Sequence, residues 1–294
     1  MNRQITRRRF LRWTGTGAAA MLLGRHAATA QAAPKAGRPN IVFILADDMG
    51  YGDLRCLNKD GKIATPNMDR LAAGGMIFTD AHSGSSVCTP TRYGILTGRY
   101  SWRTRLANGV LLGYSRHLIE PGRMTVASLL KSRGYHTAGL GKWHLGMDLP
   151  TTDGKDAAGN GANVDFAAAI ANSPTAAGFD YYYGISASLD MPPYVYVHND
   201  RFVGVPTTTR TYIRKGPATE DFQAVDVLPT LTAKAVEYID ERAKAAAAGD
   251  DKPFFLYMPL SAPHTPIVPT KDFQGKSGLN AYGTDAGDEA QVVG

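Results

Sequence analysis

The apolar segments of the chain predict four β-strands. Residues 40–46 and 253–258 are nearly continuous apolar runs, as expected for strands that are buried on both faces of a sheet. Residues 135–140 are predicted as a third strand, which follows a helix that ends at Gly134, and residues 76–79 as a shorter one. The run over 40–46 ends in the polar pair Asp47-Asp48, which places two carboxylates where a strand gives way to a turn.

Helical periodicity appears between these strands. The apolar spacing predicts helices over 65–73, 125–133 and 228–248, and a glycine follows each of them as a stop signal. Because helices and strands alternate, the sheet should be largely parallel and flanked by helices. We therefore predict an α/β fold with a mostly parallel sheet.

Two segments lack this periodicity. Residues 151–177 are rich in Ala, Gly, Asn and Asp, and we interpret them as a mobile surface insertion beside a site, with room for a short helix over 164–171. Residues 275–294 are also poor in periodic apolar positions. The main domain is expected over residues 40–294.

The first residues have the pattern of a cleaved export signal. Arginines precede Phe10, an apolar Gly/Ala-containing stretch covers 13–24, and small residues follow it. The paired arginines resemble those of a twin-arginine signal. We predict a signal over 1–32 and a linker over 33–39, with the mature protein in the periplasm or secreted after passing the export machinery.

The net charge of +6 does not indicate a nucleic-acid partner. Residues 1–30 contain six arginines and no acidic residue. Without them the 32 basic residues fall to 26, which equals the 26 acidic ones. The basic character therefore belongs to the amino terminus, and the domain itself is nearly neutral.

The run Cys88-Thr89-Pro90-Thr91-Arg92 places a thiol at the expected start of a helix. A proline is tolerated in the first helical turn, where the unpaired N–H groups and the helix dipole favour an anion. Arg92 adds a planar cation that matches an oxyanion. A disulfide between Cys56 and Cys88 is the competing interpretation, because two cysteines in an exported protein can form a bridge.

Three further motifs carry candidate chemistry. Asp47 and Asp48 offer the hard oxygen ligands that Ca²⁺ and Mg²⁺ prefer. The glycine-framed segment 139–146 contains Lys142 and His144, which would point to one side if the backbone were extended. His264 lies between two prolines that stiffen its loop, as a proton donor or ligand requires.

In their order along the chain, these motifs resemble the signature of the sulfatases over most of residues 39–270. The most specific parts are Cys88–Arg92 with the downstream Leu-Thr-Gly-Arg, and Gly-Lys-Trp-His-Leu-Gly over 141–146. The resemblance implies an alkaline-phosphatase-like fold and hydrolysis of sulfate esters of small molecules or glycans. It also implies that a formylglycine-generating enzyme oxidises Cys88 to formylglycine, the catalytic aldehyde.

The same resemblance assigns the catalytic chemistry. Asp47, Asp48 and the Cys88 position would bind a divalent cation, with Ca²⁺ favoured over Mg²⁺. One hydroxyl of the hydrated aldehyde would attack sulfur, and His144 would then deprotonate the other so that sulfate leaves.

Four further positions would hold charge or substrate by resemblance. Arg92 and Lys142 would bind the aldehyde hydrate and the sulfate. Ser188 lies where the family places a serine near the sulfate, and His264 would bind sulfate or protonate the leaving oxygen.

One departure from the family pattern affects the metal site. Sulfatases carry a second metal-binding Asp-Asn pair and a further lysine, and neither motif occurs before Gly294. We therefore expect a domain truncated at its carboxyl terminus, with an incomplete ligand set. Two alternatives stay open: a phosphate or phosphonate ester hydrolase of the same fold, and an inactive truncated relative that binds anions.

Overall fold

The computed structural model describes residues 37–276, which contain a six-stranded mixed sheet, a hairpin and four α-helices. The strands are β1 (Ile41–Asp47), β2 (His136–Lys142), β3 (Tyr181–Ile185), β4 (Tyr196–His198), β5 (Arg201–Phe202), β6 (Thr208–Thr211), β7 (Lys215–Ala218) and β8 (Phe254–Pro263). The helices are α1 (Pro66–Gly74), α2 (Cys88–Thr97), α3 (Val126–Ser132) and α4 (Ala224–Ala247). Short 3₁₀ helices cover Tyr51–Asp53, Ser101–Arg103 and Pro174–Ala177.

The main sheet has the order β1-β8-β2-β3-β4-β5, and β6 pairs with β7 in a separate hairpin. The pairs β1–β8, β8–β2 and β2–β3 are parallel, whereas β4 and β5 add antiparallel edges. The last strand of the described residues, β8, therefore lies between two strands from much earlier in the sequence. The predicted α/β class with a mostly parallel sheet is confirmed.

Apolar side chains cover both faces of the central strands. On one face, Ala235 and Tyr238 of α4 pack with Leu256 and Met258 of β8. On the other face, the core contains Tyr93 of α2 together with aromatic residues of the sheet. Burial of this apolar surface is the main stabilising contribution to such a layered fold.

Most of the predicted elements are present. The helices over 65–73, 125–133 and 228–248 are confirmed, although α4 begins earlier, at Ala224. The predicted strand over 76–79 is wrong: these residues belong to no strand of the structure, residue 79 lies in a turn, and Phe78 is 71% exposed. Apolar side chains alone do not make a strand when no neighbouring backbone takes up its hydrogen bonds.

β1 differs from the expectation of a strand buried on both faces. Val42, Phe43 and Ile44 are exposed by 47%, 39% and 57%. Within residues 37–276 only β8 pairs with β1, so β1 is an edge strand of this part of the protein.

The segment 151–177 is attached to the body of the protein at several points. Val164 and Ile170 are buried in the main core, and isolated β-bridges join Asp148 to Ala171 and Thr151 to Val164. The expected helix over 164–171 is wrong, because these residues form turns and, at their two ends, the isolated bridges of Val164 and Ala171.

The remaining expectations about segments concern the chain ends. The predicted signal over 1–32, the first part of the linker and the tail from residue 277 lie outside the described residues. No helix within residues 37–276 combines the length and the apolar character that a membrane crossing requires.

Candidate active site

Three parallel strands end at the same edge of the sheet, and each brings one polar side chain there. β1 ends at Asp47 and β2 at Lys142, while β8 ends immediately before His264. Asp47 is the register partner of Pro263, the last residue of β8. Because ligands of open α/β sheets bind at the carboxyl ends of parallel strands, this edge is the expected place for a site.

Lys142 is the central contact of the site. Its side chain is fully buried, and Nζ donates to Asp47 Oδ2, to Ser188 Oγ at 3.1 Å and to Cys88 Sγ at 3.4 Å. A buried ammonium is unfavourable unless anionic and polar groups surround it. One cation thus joins residues that the sequence predicted separately from different motifs.

Arg92 lies one helical turn after Cys88 in α2 and is also buried. Its guanidinium lies 3.2 Å from Asp47 Oδ2 and donates to the carbonyls of Lys142 at 2.9 Å and Leu260 at 3.3 Å. These contacts cross-link α2 to the ends of β1, β2 and β8. The guanidinium is therefore largely committed to protein groups, whereas the sequence predicted a direct role in holding the sulfate.

The two adjacent carboxylates have different ionisation properties. Burial alone would raise the pKa of Asp47, but the charges of Lys142 and Arg92 outweigh it and hold the pKa at about 2. The pKa of Asp48 is raised by burial and by the neighbouring Asp47 carboxylate. Asp47 is therefore the anionic partner of two cations, and Asp48 is the carboxylate that a further cation would stabilise.

Cys88 is the first residue of α2 and is partly exposed. Burial alone would raise the pKa of its thiol, but a hydrogen bond with His264 and the charge of Lys142 lower it. Both Cys56 and Cys88 are free, so the alternative disulfide is absent from the structure.

His144 is buried, and its side chain has one fixed partner. Nε2 lies 2.7 Å from the carbonyl oxygen of Leu111, which can only accept, so Nε2 carries the proton and Nδ1 keeps its lone pair. Nδ1 is buried and has no partner within the described chain. Burial, followed by the charge of Lys142, lowers the pKa of His144 to about 3, so the ring is neutral.

The backbone at His144 is not extended, so the condition for placing Lys142 and His144 on one side of a strand is not met. The φ angle of His144 is 53°, in the left-handed region. Its carbonyl accepts from Thr89 Oγ1 at 2.9 Å, which ties His144 to the residue next to Cys88. The backbone approaches closely at Gly141, where an added Cβ would lie 1.9 Å from the Pro259 carbonyl oxygen.

Ser188 and His264 complete the group of predicted residues. Ser188 Oγ lies 3.2 Å from His264 Nδ1, which is also 2.7 Å from the carbonyl oxygen of Thr265. A hydrogen bond with Cys88 raises the pKa of His264, although burial opposes it. Ser188 therefore links Lys142 to His264.

A cavity of about 260 Å³ lies beside Cys88, between the end of β1 and the start of α2. Asp47, Asp48 and Cys88 line it, together with hydroxyl groups that the sequence argument missed. These are Ser83, Ser85, Ser86 and Thr91. The signal for them was available as a serine-rich run immediately before Cys88.

The carboxylates and the Cys88 position fit a small cation. The ligand atoms of Asp47, Asp48 and Cys88 all lie within 4.8 Å of one another. Carboxylate oxygens are suitable ligands for Ca²⁺ or Mg²⁺, which take six or more ligands in total. The described residues therefore supply a part of a coordination sphere.

Several known proteins are similar to this chain in sequence and in fold. A family model described as Sulfatase matches residues 39–288. An N-acetylgalactosamine-6-O-sulfatase of Bacteroides thetaiotaomicron is 33% identical over 286 residues, covering 84% of this chain and 52% of that protein. Human arylsulfatase A is 34% identical over 275 residues, covering 90% of this chain and 48% of that protein.

A solved structure supports the same assignment. It comes from work on the metabolism of multiple glycosaminoglycans by Bacteroides thetaiotaomicron, and it matches with a TM-score of 0.71 at 31% identity, covering 87% of this chain and 57% of that one. The chain spans about half the length of the relatives named above. On the strength of the family match and these relatives, the chain belongs to the sulfatase family.

Proposed function

We propose that the protein hydrolyses sulfate esters and that Cys88 is the precursor of a formylglycine nucleophile. The observation that carries the proposal is the position of Lys142 Nζ, which contacts Asp47, Cys88 and Ser188 at once. Formylglycine would supply an oxygen nucleophile at the position of the thiol. A fixed cation beside that position stabilises the negative charge that develops on oxygen during sulfuryl transfer.

We infer that Asp47 and Asp48 bind a divalent cation, with Ca²⁺ favoured by the family resemblance. The support is the closeness of their ligand atoms to the Cys88 position and the raised pKa of Asp48 beside the Asp47 carboxylate. When bound, the cation would polarise sulfate oxygens and lower the pKa of the nucleophile.

The histidines suit different proton-transfer roles. His144 is neutral and keeps the lone pair of Nδ1, as a proton acceptor must. His264 has a raised pKa and a partly exposed ring, so it can donate a proton or hydrogen bond to a leaving oxygen. Arg92 acts as a positioning residue, because its contacts hold Asp47 and the ends of two strands.

The substrate class is a sulfate ester of a glycan or a small molecule. The named relatives include an N-acetylgalactosamine-6-O-sulfatase, an arylsulfatase and a steryl-sulfatase, and the last is 40% identical over 156 residues. A phosphate or phosphonate ester hydrolase is not favoured, because these relatives are named as sulfatases.

Activity is tested on the full-length protein produced together with a formylglycine-generating enzyme. Peptide mass spectrometry across Cys88 should show loss of sulfur and gain of the aldehyde. The protein should cleave 4-nitrophenyl sulfate faster than 4-nitrophenyl phosphate, and Ca²⁺ should restore activity after chelation. Equal or faster cleavage of the phosphate, or activity with an unmodified thiol, would contradict the proposal.

We further propose that residues 1–32 direct export to the periplasm or the medium. The support is the arginine-rich start followed by an apolar stretch and small residues. Amino-terminal sequencing of the protein from fractionated cells should find the mature start near residue 33. Replacing Arg7 and Arg8 by lysine should leave the precursor in the cytoplasm if the signal is of the twin-arginine type. Unchanged export would contradict that assignment.

A further inference from the structure

Two exposed aromatic rings lie beside the candidate site without any role in it. The side chains of Tyr100 and Trp102 are 55% and 61% exposed. Their rings are stacked, with centroids 5.7 Å apart and an interplanar angle of 16°. Large apolar groups that form a continuous exposed surface commonly mark a binding site.

The backbone beneath the two rings is held firmly. Gly98 ends α2 in the left-handed conformation, and the chain then forms the 3₁₀ helix Ser101–Arg103. Ser101 is buried, and its carbonyl accepts hydrogen bonds from the backbone N–H and the hydroxyl of Thr104. Arg99 pairs with Glu120 and also donates to the carbonyl of Arg103. A rigid support of this kind reduces the entropy lost when a ligand binds.

Contacts connect the aromatic pair to the cavity that contains Cys88. A Cβ added to Gly84 would lie 3.7 Å from the ring of Tyr100. The neighbours of Gly84, Ser83 and Ser85, line the cavity. The aromatic surface therefore borders the loop that forms the rim of the candidate site.

The charge around the rings is positive. Residues 81–119 contain five arginines and neither aspartate nor glutamate, and three of these arginines (Arg92, Arg99 and Arg116) pair with carboxylates of other segments. Within residues 37–276, Arg103 and Arg105 are exposed and pair with no carboxylate, and Arg105 donates only to the carbonyls of Arg116 and His117. A groove of about 550 Å³ is lined by Arg105, Leu112 and Tyr114, and also by Arg116 with its carboxylate partner Asp156. The charge complementarity therefore rests on Arg103 and Arg105, whose guanidinium groups favour an anionic ligand.

We propose that Tyr100 and Trp102 form a platform that stacks against a sugar ring of an anionic glycan, while Arg103 and Arg105 bind its sulfate or carboxylate groups. The carbon-bound hydrogens on one face of a pyranose carry partial positive charge and complement the negative face of an aromatic ring. The guanidinium groups supply planar donors for the oxyanions. The proposal rests on the proposed sulfatase function and narrows its substrate class to sulfated oligosaccharides.

The aromatic pair also provides a direct spectroscopic test. The chain has three tryptophans, of which Trp143 is only 3% exposed and Trp13 lies outside the described residues. Iodide should therefore quench Trp102 and leave Trp143 unquenched. The difference between the parent protein and its Trp102→Phe variant isolates the Trp102 signal.

Binding is measured on the full-length protein carrying Cys88→Ala, so that the ligand is not consumed. The probe is a chondroitin 6-sulfate hexasaccharide, and unsulfated chondroitin hexasaccharide is the matched ligand. We expect the sulfated probe to protect Trp102 from iodide, and Trp102→Ala to raise its dissociation constant about tenfold, as loss of one stacking contact implies. Arg103→Gln should weaken binding of the sulfated hexasaccharide and leave binding of the unsulfated one unchanged. Trp102→Phe should retain most of the affinity.

Matched variants separate the platform from general effects. Phe78→Ala removes another exposed aromatic ring and Arg133→Gln another exposed arginine, and both should bind the probe like the parent. With Cys88 intact, Trp102→Ala should keep the kcat for 4-nitrophenyl sulfate within twofold, while kcat/KM for the hexasaccharide falls about tenfold.

Several outcomes would overturn the platform. Failure of iodide to quench Trp102 in the full-length protein would mean that other parts of the protein cover the ring. Equal binding by Trp102→Ala and the parent, or equal binding of both hexasaccharides, would also refute it. Loss of hydrolysis of every sulfate ester with retained Trp102-dependent binding would instead contradict the proposed function and leave the platform standing.

Discussion

The candidate site consists of two halves that differ in their access to solvent. The buried half is formed by Asp47, Arg92, Lys142 and His144. The open half is formed by Asp48, Cys88 and His264. In the buried half every charge has a fixed partner, whereas the open half has groups that face a cavity or solvent. Ser188 joins the halves through Lys142 and His264.

This difference separates the parts of the site that the fold depends on from those that the reaction depends on. Removing a partner from a buried ion pair leaves an uncompensated charge and destabilises the protein. Removing a partly exposed group at the rim leaves the core unchanged. Substitutions in the buried half should therefore reduce both stability and activity, and those in the open half activity alone.

Cys88→Ala should have the largest effect on activity and almost none on stability. The variant lacks the nucleophile precursor, so kcat for 4-nitrophenyl sulfate should fall by at least about a thousandfold. One small side chain changes, so the midpoint of thermal unfolding should stay within a few degrees. Cys88→Ser should behave in the same way if the modifying enzyme accepts only cysteine. Retained turnover in Cys88→Ala would refute the assignment of the nucleophile.

Lys142→Met should reduce activity and stability together. The substitution keeps the length of the side chain but removes one of the two cations that stabilise the buried Asp47 carboxylate. We expect the free energy of unfolding to fall by about 3 kcal/mol and activity by about a hundredfold or more. Urea unfolding measures the first quantity. A variant as stable as the parent would break the proposed distinction between the halves.

His264→Gln should reduce activity by about a hundredfold, the lower range for loss of a proton donor. Its ring is partly exposed, so the urea midpoint should not change. A less basic leaving group needs less protonation, so the defect should be smaller for 4-nitrophenyl sulfate than for an alkyl sulfate. Equal defects on both esters would indicate sulfate binding instead of proton donation.

His144→Asn should change how stability depends on pH. The pKa of His144 is about 3 in the folded protein and about 6.5 when unfolded, so only the unfolded chain takes up this proton as the pH falls below 6.5. Above pH 6.5 this proton uptake does not affect the free energy of unfolding. As the pH falls from 6.5 towards 3, the uptake lowers the free energy of unfolding, by about 2 kcal/mol at pH 5. Asparagine tolerates the left-handed backbone at this position.

The measurement compares urea unfolding of the parent and His144→Asn at pH 7.5 and pH 5. All other titrating groups are shared, so the variant should lose about 2 kcal/mol less than the parent between these pH values. Parallel losses in the two proteins would mean that His144 is not a buried neutral histidine.

The sequence predicted the strand ends better than the conformations around them. Asp47 was predicted from an apolar run that ends in a polar pair and Lys142 from the glycine-framed motif after a second strand, and parallel strands bring such ends together. The left-handed backbone of His144 and its bond to Leu111 depend on a loop that no local pattern indicates. The contacts of Arg92 were missed for a similar reason, because they need the ends of three strands to be in place.

The strands show the same limit of prediction from sequence, because their pairing and burial depend on distant segments. Strands β3 to β5 were not predicted, since their short segments pair only when β2 provides a neighbour. The runs over 40–46 and 253–258 have similar composition, yet β8 is buried along its length and β1 is not. Burial is decided by the neighbours of a strand, which composition does not contain.

The position of β8 has a consequence for the order of events during synthesis. β8 separates β1 from β2 in the sheet, but it begins at Phe254, far downstream of Cys88. At about 5–20 residues per second, the ribosome needs on the order of ten seconds or more to travel between them. During that interval β8 has not been synthesised, so the sheet edge that brings Asp47, Lys142 and His264 together cannot form. The thiol is therefore open to a modifying enzyme on a nascent chain before the pocket around it exists.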